Sequence, residues 1–299
     1  MATVDVLSKG TKFPEVLVTE FIDRVRGHST LARLSDQKPL AFRGNELMVF
    51  NLPNQIDVVA ENGPKSHGGG TVESKTIQPI KFEYGMRVSD EFMFATEEER
   101  MDILGVFADG AAKKVATGFD IAGLHGLNPR TGEESQVIGD NCFDKQVETT
   151  VSYVAANADE NLQEAVNTVQ AADSNVTGAA MSPVFASALA NIKENGVTQY
   201  PEFRFGQHPD SFYGLEIDVN STIASGDVDQ AIVGDFREAF RWGIAKDIKV
   251  EVIPYGDPDN SGFDLKGSNQ VYLRAEIYLG WAVLVPEAFA RVTSSEASE

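Results

Sequence analysis

Residues 96–126 read TEEERMDILGVFADGAAKKVATGFDIAGLHG, and this stretch decides how the rest of the chain is read. Thr96 and Glu99 have the spacing of a capping box, in which the threonine hydroxyl accepts an amide of the first turn and the glutamate reaches back to the cap. Glu97, Glu98 and Glu99 add negative charge where the helix dipole is positive. Leu104, Phe107, Ala108, Ala111, Val115, Phe119 and Ala122 then recur every three or four residues, the period of a helix with one buried stripe. Leu104, Phe107, Ala111, Val115 and Phe119 are the expected core of this helix. Asp102, Asp109, Lys113, Lys114 and Asp120 fall on the face the pattern makes polar. At 1.5 Å per residue the helix spans roughly 40 Å, about the width of a compact domain. Gly105, Gly110 and Gly118 each cost about 1 kcal/mol relative to alanine. The helix therefore needs tertiary support, and its glycines are expected to admit a sheet or a second backbone.

With 299 residues the chain can bury a substantial core as one large or two modest domains. No apolar run approaches the ~20 residues of a membrane span, and the N-terminus lacks the basic-then-apolar design of a signal peptide. Cys142 is the single cysteine, so no internal disulfide and no cysteine-based zinc site is available, and an intracellular folding site is the default expectation. A net charge of −20 speaks against a chain whose task is to grip phosphates. Basic side chains never cluster with aromatic ones, so no sequence-specific DNA binding is expected.

Outward from the long helix, residues 1–43 read as an N-terminal arm. In 14–26, Leu17, Phe21 and Val25 fall at helical spacing behind Pro14, with Gly27 closing the turn. Such a piece is too short to fold alone and needs a surface to lie on. Residues 44–83 read as an extended loop: a strand in ELMVFNLPNQIDVVAE, a tip at 62–70 dense in turn formers, and a return on which Ile80, Phe82, Tyr84, Met86 and Val88 alternate with polar residues. A hairpin of this length cannot bury both faces in its own domain. Residues 84–158 hold the long helix, at 96–125, and an irregular stretch after it. In 159–231, helix and strand alternate: Leu162, Ala165, Val166 and Val169 mark one helix, and Ser182–Pro183 open a second that carries Phe185, Leu189 and Ile192 and is expected to end at Gly196. Residues 200–214 read as an aromatic loop and LEIDV as a strand. Residues 232–292 are mostly strands, and 293–299 form a polar tail.

Few motifs carry chemistry. The run 67–70, HGGG, resembles a lipase oxyanion loop, but the chain has no G-x-S-x-G nucleophile elbow. Asp257, Asp259, Ser261 and Gly262 match half of a calcium loop, with Ser268 where a glutamate is required and strands in place of helices, so an acidic turn is the better reading. His28, His67, His125 and His208 have no metal-ligand spacing, and no phosphate-binding glycine motif is present. No catalytic, cofactor or metal residue is assigned.

The order of parts is informative where single motifs are not. AENGPKSHGGGTVESKTIQPIKFEYGMRVSDEFM (60–93), FDIAGLHG (119–126), MSPVFASALANIKENG (181–196), and IVGDF (232–236) followed by IKVEVIP and QVYLRAEIYLGWAVLVPEAFARV together resemble, in this order, a major capsid protein of tailed double-stranded DNA bacteriophages. The resemblance covers nearly the whole chain. It implies the α+β capsid fold shared with encapsulins: an N-terminal arm, an extended β-hairpin loop, a long spine helix, a peripheral β-sheet domain and an axial α/β domain. It further implies self-assembly into homo-hexamers and homo-pentamers of an icosahedral shell, made in the bacterial host cytoplasm and enclosing DNA without reading its sequence. On this reading Glu61, Asn62, Gly63, Pro64, Lys65 and His67 at the loop tip, and Phe13, Leu17 and Phe21 of the arm, contact neighbouring subunits.

Many relatives carry a scaffolding extension ahead of the arm, whereas here the arm begins near Met1. The resemblance then implies a separate scaffolding protein or assembly without one, together with a portal and, in some shells, a cement protein. Some relatives also join a loop lysine to an asparagine; Lys65 or Lys75 and Asn269 are the residue types available, with nothing local to support the reaction. Two alternatives stand beside this reading: an encapsulin-like shell that packages protein cargo, and a hydrolase using residues 67–70.

Overall fold

The computed structural model describes residues 23–51, 54–65, 67–226 and 228–294. Phe13, Leu17 and Phe21 of the arm lie outside the described residues. The long helix runs Glu97–His125 and opens with the capping box the sequence predicts. The Thr96 amide donates to Glu99 Oε2 at 2.9 Å and the Glu99 amide to Thr96 Oγ1 at 3.3 Å. Gly126, in the left-handed region at φ 69°, ends it.

Among the described residues thirteen strands accompany this helix. They are β1 (Asn45–Asn51), β2 (Thr71–Ile77), β3 (Ile80–Ser89), β4 (Thr150–Ser152), β5 (Gly178–Met181), β6 (Lys193–Glu194), β7 (Val197–Thr198), β8 (Ser211–Phe212), β9 (Leu215–Val219), β10 (Asp229–Gly234), β11 (Phe240–Ile253), β12 (Gln270–Val283) and β13 (Phe289–Thr293). A three-stranded sheet has the order β11-β12-β3, and a six-stranded sheet the order β4-β13-β10-β5-β9-β8.

The helix lies against the three-stranded sheet. Leu104, Phe107, Ala111, Val115 and Phe119 are all buried, together with Ala108 and Ala122. Phe119 sits between Trp242 and Trp281, with ring centroids 5.4 and 5.5 Å away. Phe107 meets Tyr84 at 6.1 Å. We expect Phe107→Ala to cost about 3 kcal/mol, at the low end for a buried aromatic because the half-exposed Tyr84 can relax into the gap. Denaturant melts of the dissociated subunit read this directly, and a loss below about 0.5 kcal/mol would place the ring at a surface-like site.

A second core forms where the helices Ala158–Ala171 and Pro183–Asn191 pack on the six-stranded sheet. Strand β10 joins the two cores. Its side chains alternate, so Ala231 and Val233 enter the second core while Ile232 enters the first.

Five details depart from the sequence reading. Asp120 is not on a polar face but fully buried, because the Thr30–Leu34 helix ends on it. Gly118 does admit a neighbour, a Cβ there lying 3.3 Å from Pro129 and 3.7 Å from Phe82 of the sheet, but Gly105 and Gly110 face open space, and a closer approach is at Gly123, where a Cβ would lie 2.6 Å from Leu31 Cδ1. The hairpin pairs β1 with β2, and Ile80–Ser89 pairs instead with β12; Pro79, which has no N–H to give a ladder, separates the two strands. The first hairpin strand stops at Asn51, and residues 54–60 are not strand. Finally, the helix from Pro183 ends at Asn191, ahead of Gly196. Asn195 and Gly196, at φ 51° and 83°, instead turn β6 into β7, as expected of an Asn-Gly pair in a two-residue hairpin turn.

Candidate assembly surfaces and the buried polar seam

The β1–β2 hairpin is apolar on both faces but buries only one. Leu47 and Val49 pack with Leu40, Ile77, Ala282 and Leu284 at its root. The alternate residues Met48 and Phe50, with Val72 across from Phe50, are exposed. Beyond the strands, Ile56 and Val58 are each 93% exposed. Such exposure of two branched apolar side chains is unfavourable for an isolated subunit. At the tip, Glu61, Asn62, Pro64, Lys65 and His67 are exposed and Gly63 partly so. A turn closes there, with the Gly63 amide donating to the Ala60 carbonyl at 2.9 Å. The glycines after His67 form no oxyanion-type cradle; the Gly69 amide is taken by Asn54 Oδ1 at 3.3 Å.

Two further apolar areas are open. Val106 and Ile103 face outward on the long helix, Phe94 ahead of the helix is exposed, and Tyr84 and Met86 of β3 are half-exposed as well. At the rim of the six-stranded sheet, Phe205 and Tyr213 are exposed and held in the left-handed region, at φ 58° and 48°. For a bulky residue that conformation is strained.

Polar groups are used inside the subunit. Arg87 fills the acidic turn between β11 and β12: Nη2 lies 2.9 Å from Asp257 and 2.6 Å from Asp259, and Nε donates to Asp259 Oδ2 at 2.8 Å. Arg87 therefore occupies the place a cation would take, and its hydrogen bonds hold the Asp259 carboxyl well below the usual carboxylate range.

The larger surprise is a buried seam between the two cores. Asp120 accepts from Ser29 Oγ at 2.6 Å, the Thr30 amide at 2.9 Å and the Leu31 amide at 3.1 Å. Asn220 Nδ2 and Thr222 Oγ1 also reach it, at 3.4 and 3.3 Å. Burial pushes its carboxyl up to about 7, against the lowering effect of these donors. The Thr222 carbonyl in turn receives His125 Nε2 at 2.9 Å, while His125 Nδ1 faces Asp144 Oδ2 at 2.9 Å. Both ring nitrogens face oxygen atoms that can accept, an arrangement that favours the doubly protonated ring. Burial alone would lower its pKa, but Asp144 raises it above the ordinary value.

Arg291 closes the seam. Its Nε donates to Asp229 at 3.0 Å and its Nη1 to the Asp144 carbonyl at 2.9 Å, and Nη2 lies 2.8 Å from Asp144 Oδ1. Burial pushes Asp229 up to about 7. Ligand atoms of His125, Asp144 and Asp229 lie within 4.8 Å of one another, a spacing that could hold a metal. Here the guanidinium supplies the positive charge. Sequence spacing could not have found this cluster, because its members come from the long helix, a short helix at Phe143–Gln146, β10 and β13.

Open apolar faces on the hairpin, the long helix and the sheet rim, around a core closed by internal ion pairs, define a subunit that completes its burial in an assembly. The chain belongs to the phage capsid family, whose model matches residues 10–294. It is a structural major capsid protein of the icosahedral bacteriophage type. A chain of Mycobacterium phage Ogopogo is 30% identical, with a TM-score of 0.76 over 90% of this chain and 92% of that one. A chain of Gordonia phage Cozz is 28% identical, with a TM-score of 0.72 over 89% and 86%. The capsid of an empty GTA particle, computed with C5 symmetry, shares the fold at 15% identity and a TM-score of 0.62, with 90% of each chain covered. No curated protein sequence matches. These matches lend the compartment-shell and hydrolase alternatives no support. Among the described residues no helix is long and apolar enough to cross a membrane.

Proposed function

We propose that this capsid subunit forms hexamers and pentamers in which the tip of the β1–β2 hairpin, Glu61 to His67, seats on a neighbouring subunit. The observation that carries this reading is the hairpin's unburied outer face: Met48, Phe50, Ile56 and Val58 have no partner surface within the described subunit. In a closed symmetric shell each such face is covered once, and a small contact recurs at every equivalent position. The net charge of −20 suits a wall that encloses double-stranded DNA without holding it. A scaffolding protein and a portal complete the assembly pathway in the host cytoplasm, with a cement protein as an optional addition. The chain itself has no catalytic task.

Replacing residues 62–70 by Asn-Gly tests the hairpin. Loop closure entropy changes slowly with length, so subunit stability should stay within about 1 kcal/mol. Particle yield by sedimentation and microscopy should fall at least tenfold. Normal shells from the shortened chain would remove the tip from the interface, and collapse of the subunit would place it in its own core.

A further inference from the structure

The root of the β1–β2 hairpin holds a cavity of about 390 Å³ where the hairpin meets the subunit body. Leu47 and Ile77 line it from the hairpin, Arg241 from β11, and Lys38 and Leu40 from the segment ahead of β1. Side chains alternate along β11, so Trp242 enters the first core while Arg241 turns to the opposite face. The walls are braced. The Lys38 amide donates to the Trp242 carbonyl at 2.9 Å, and a Cβ at Gly243 would lie 2.3 Å from the Lys38 carbonyl oxygen. Asn45 spends its side chain on the same segment, donating to the Pro39 carbonyl at 2.9 Å and accepting from the Ala41 amide at 3.1 Å.

Two cations are left with little to hold. Lys38 has Asp36 at 3.9 Å, an exposed and distant pair. Arg241 has less. Its Nε is closed off from solvent and meets no hydrogen-bond acceptor, and among the described residues no carboxylate pairs with its guanidinium. A buried donor without a partner is unfavourable, and a guanidinium is always charged. Arg33, Arg87, Arg274 and Arg291, by contrast, all find carboxylates inside the subunit. With 45 acidic against 25 basic side chains, copies of this chain repel one another over most of their surface. An unpaired guanidinium in a cleft is a place where a neighbour's acid meets attraction instead.

We propose that this cavity receives an aspartate or glutamate side chain from a second copy of the chain, with its carboxylate bridging Arg241 and Lys38. The planar guanidinium suits a carboxylate, and the wall of Leu40, Leu47 and Ile77 suits the acid's apolar stem. Because hairpin and body both line the cavity, the incoming acid also fixes the angle between them. The inference rests on assembly into a shell and does not depend on where the hairpin tip seats.

The test is carbodiimide coupling, which joins a lysine amine to a carboxylate in contact with it and leaves arginine untouched. Arg241→Lys keeps the charge and makes the cavity its own reporter, and Lys38 reports on the same cavity in the unaltered chain. Shells assembled from equal amounts of light and 15N-labelled subunits are coupled and digested, and the linked peptides are read by mass. The expected result is a link from position 241, and from Lys38, to an acidic peptide, with about half of these pairs of mixed isotope. The same pairs should be absent from dissociated subunits. Links confined to one isotope, or Lys38 joined to Asp36 alone, would overturn the proposal. In parallel, Arg241→Glu should lower particle yield at least tenfold, since like charges would then face each other across the contact. The urea midpoint of its dissociated subunit should stay unchanged. Full yield would overturn the proposal, and a lowered midpoint would do so equally by making Arg241 a structural part of its own subunit.

Discussion

Asp120→Ala should destabilise the subunit by about 3–5 kcal/mol at pH 5, and by clearly less at pH 8. The cost comes from the groups left behind. The amides of Thr30 and Leu31 are first-turn donors of the Thr30–Leu34 helix and have no intrahelical acceptor. Ser29 caps that helix by accepting from the Ala32 amide, so its own hydroxyl proton is directed at Asp120. Removing the carboxyl strands these donors in a buried site, at about 1–3 kcal/mol for each that finds no other partner. The pH dependence follows from the raised carboxyl. Its folded value of about 7 stands above the ordinary 3.8, so the folded chain keeps a proton that the unfolded chain releases. That contribution is fully present below about pH 4 and is lost as pH rises through about 7. Alanine has no such term, so the gap between wild type and variant narrows as pH rises. Urea melts of both proteins at several pH values give the gap directly. A gap that widens with pH would mean that Asp120 is held as an anion throughout, with the donors outweighing burial.

Asp120 also marks how far the fold could be read from residues alone. The long helix was legible because its signals are local: Thr96 and Glu99 sit three residues apart, and the buried stripe repeats at the helical period. The same pattern misassigned Asp120. A period reports which face a residue lies on, whereas the partners of Asp120, at Ser29 and Asn220, are about a hundred residues away in either direction. The strand at Ile80–Ser89 was legible from its alternation, but its partner was not. Alternation gives the faces of a strand and not the neighbour along its edge, so pairing with β12 instead of β1 became visible only in the sheet. Gly196 fits a helix stop because glycine serves both helix ends and turns, and Asn195 beside it is the more specific signal. The capsid resemblance rested on the order of many weak parts, and the family match over residues 10–294 bears it out. Nothing comparable exists for the interface residues, since exposure becomes visible only once the subunit is folded.

Arg291→Met should carry a cost of similar size with the opposite pH dependence, about 3–5 kcal/mol at pH 8 and less at pH 5. Arg291 is the cation common to Asp229 and Asp144, and with Asp229 fully buried and Arg291 nearly so, water cannot take its place. Methionine keeps much of the length and apolar stem but leaves two carboxylates without their guanidinium, the situation in which breaking a buried pair is most costly. His125 remains beside Asp144, so the larger part of the loss falls on Asp229. At present Arg291 opposes the upward push of burial on Asp229, which still stands at about 7. Without Arg291 that value rises further. Below about pH 4 the carboxyl is protonated in folded and unfolded chains alike and the substitution costs little through this group, whereas above about pH 7 the folded variant must hold either an unpaired charge or a proton taken up against the solution. The variant's deficit therefore grows with pH. Adding Asp229→Asn removes the charge that was stranded, so the double variant should recover roughly half of the loss, a coupling far above the ~0.5 kcal/mol within which independent sites add. Additive losses, or a single-variant cost below about 1 kcal/mol as at exposed ion pairs, would show that Arg291 lies on the seam without holding it together.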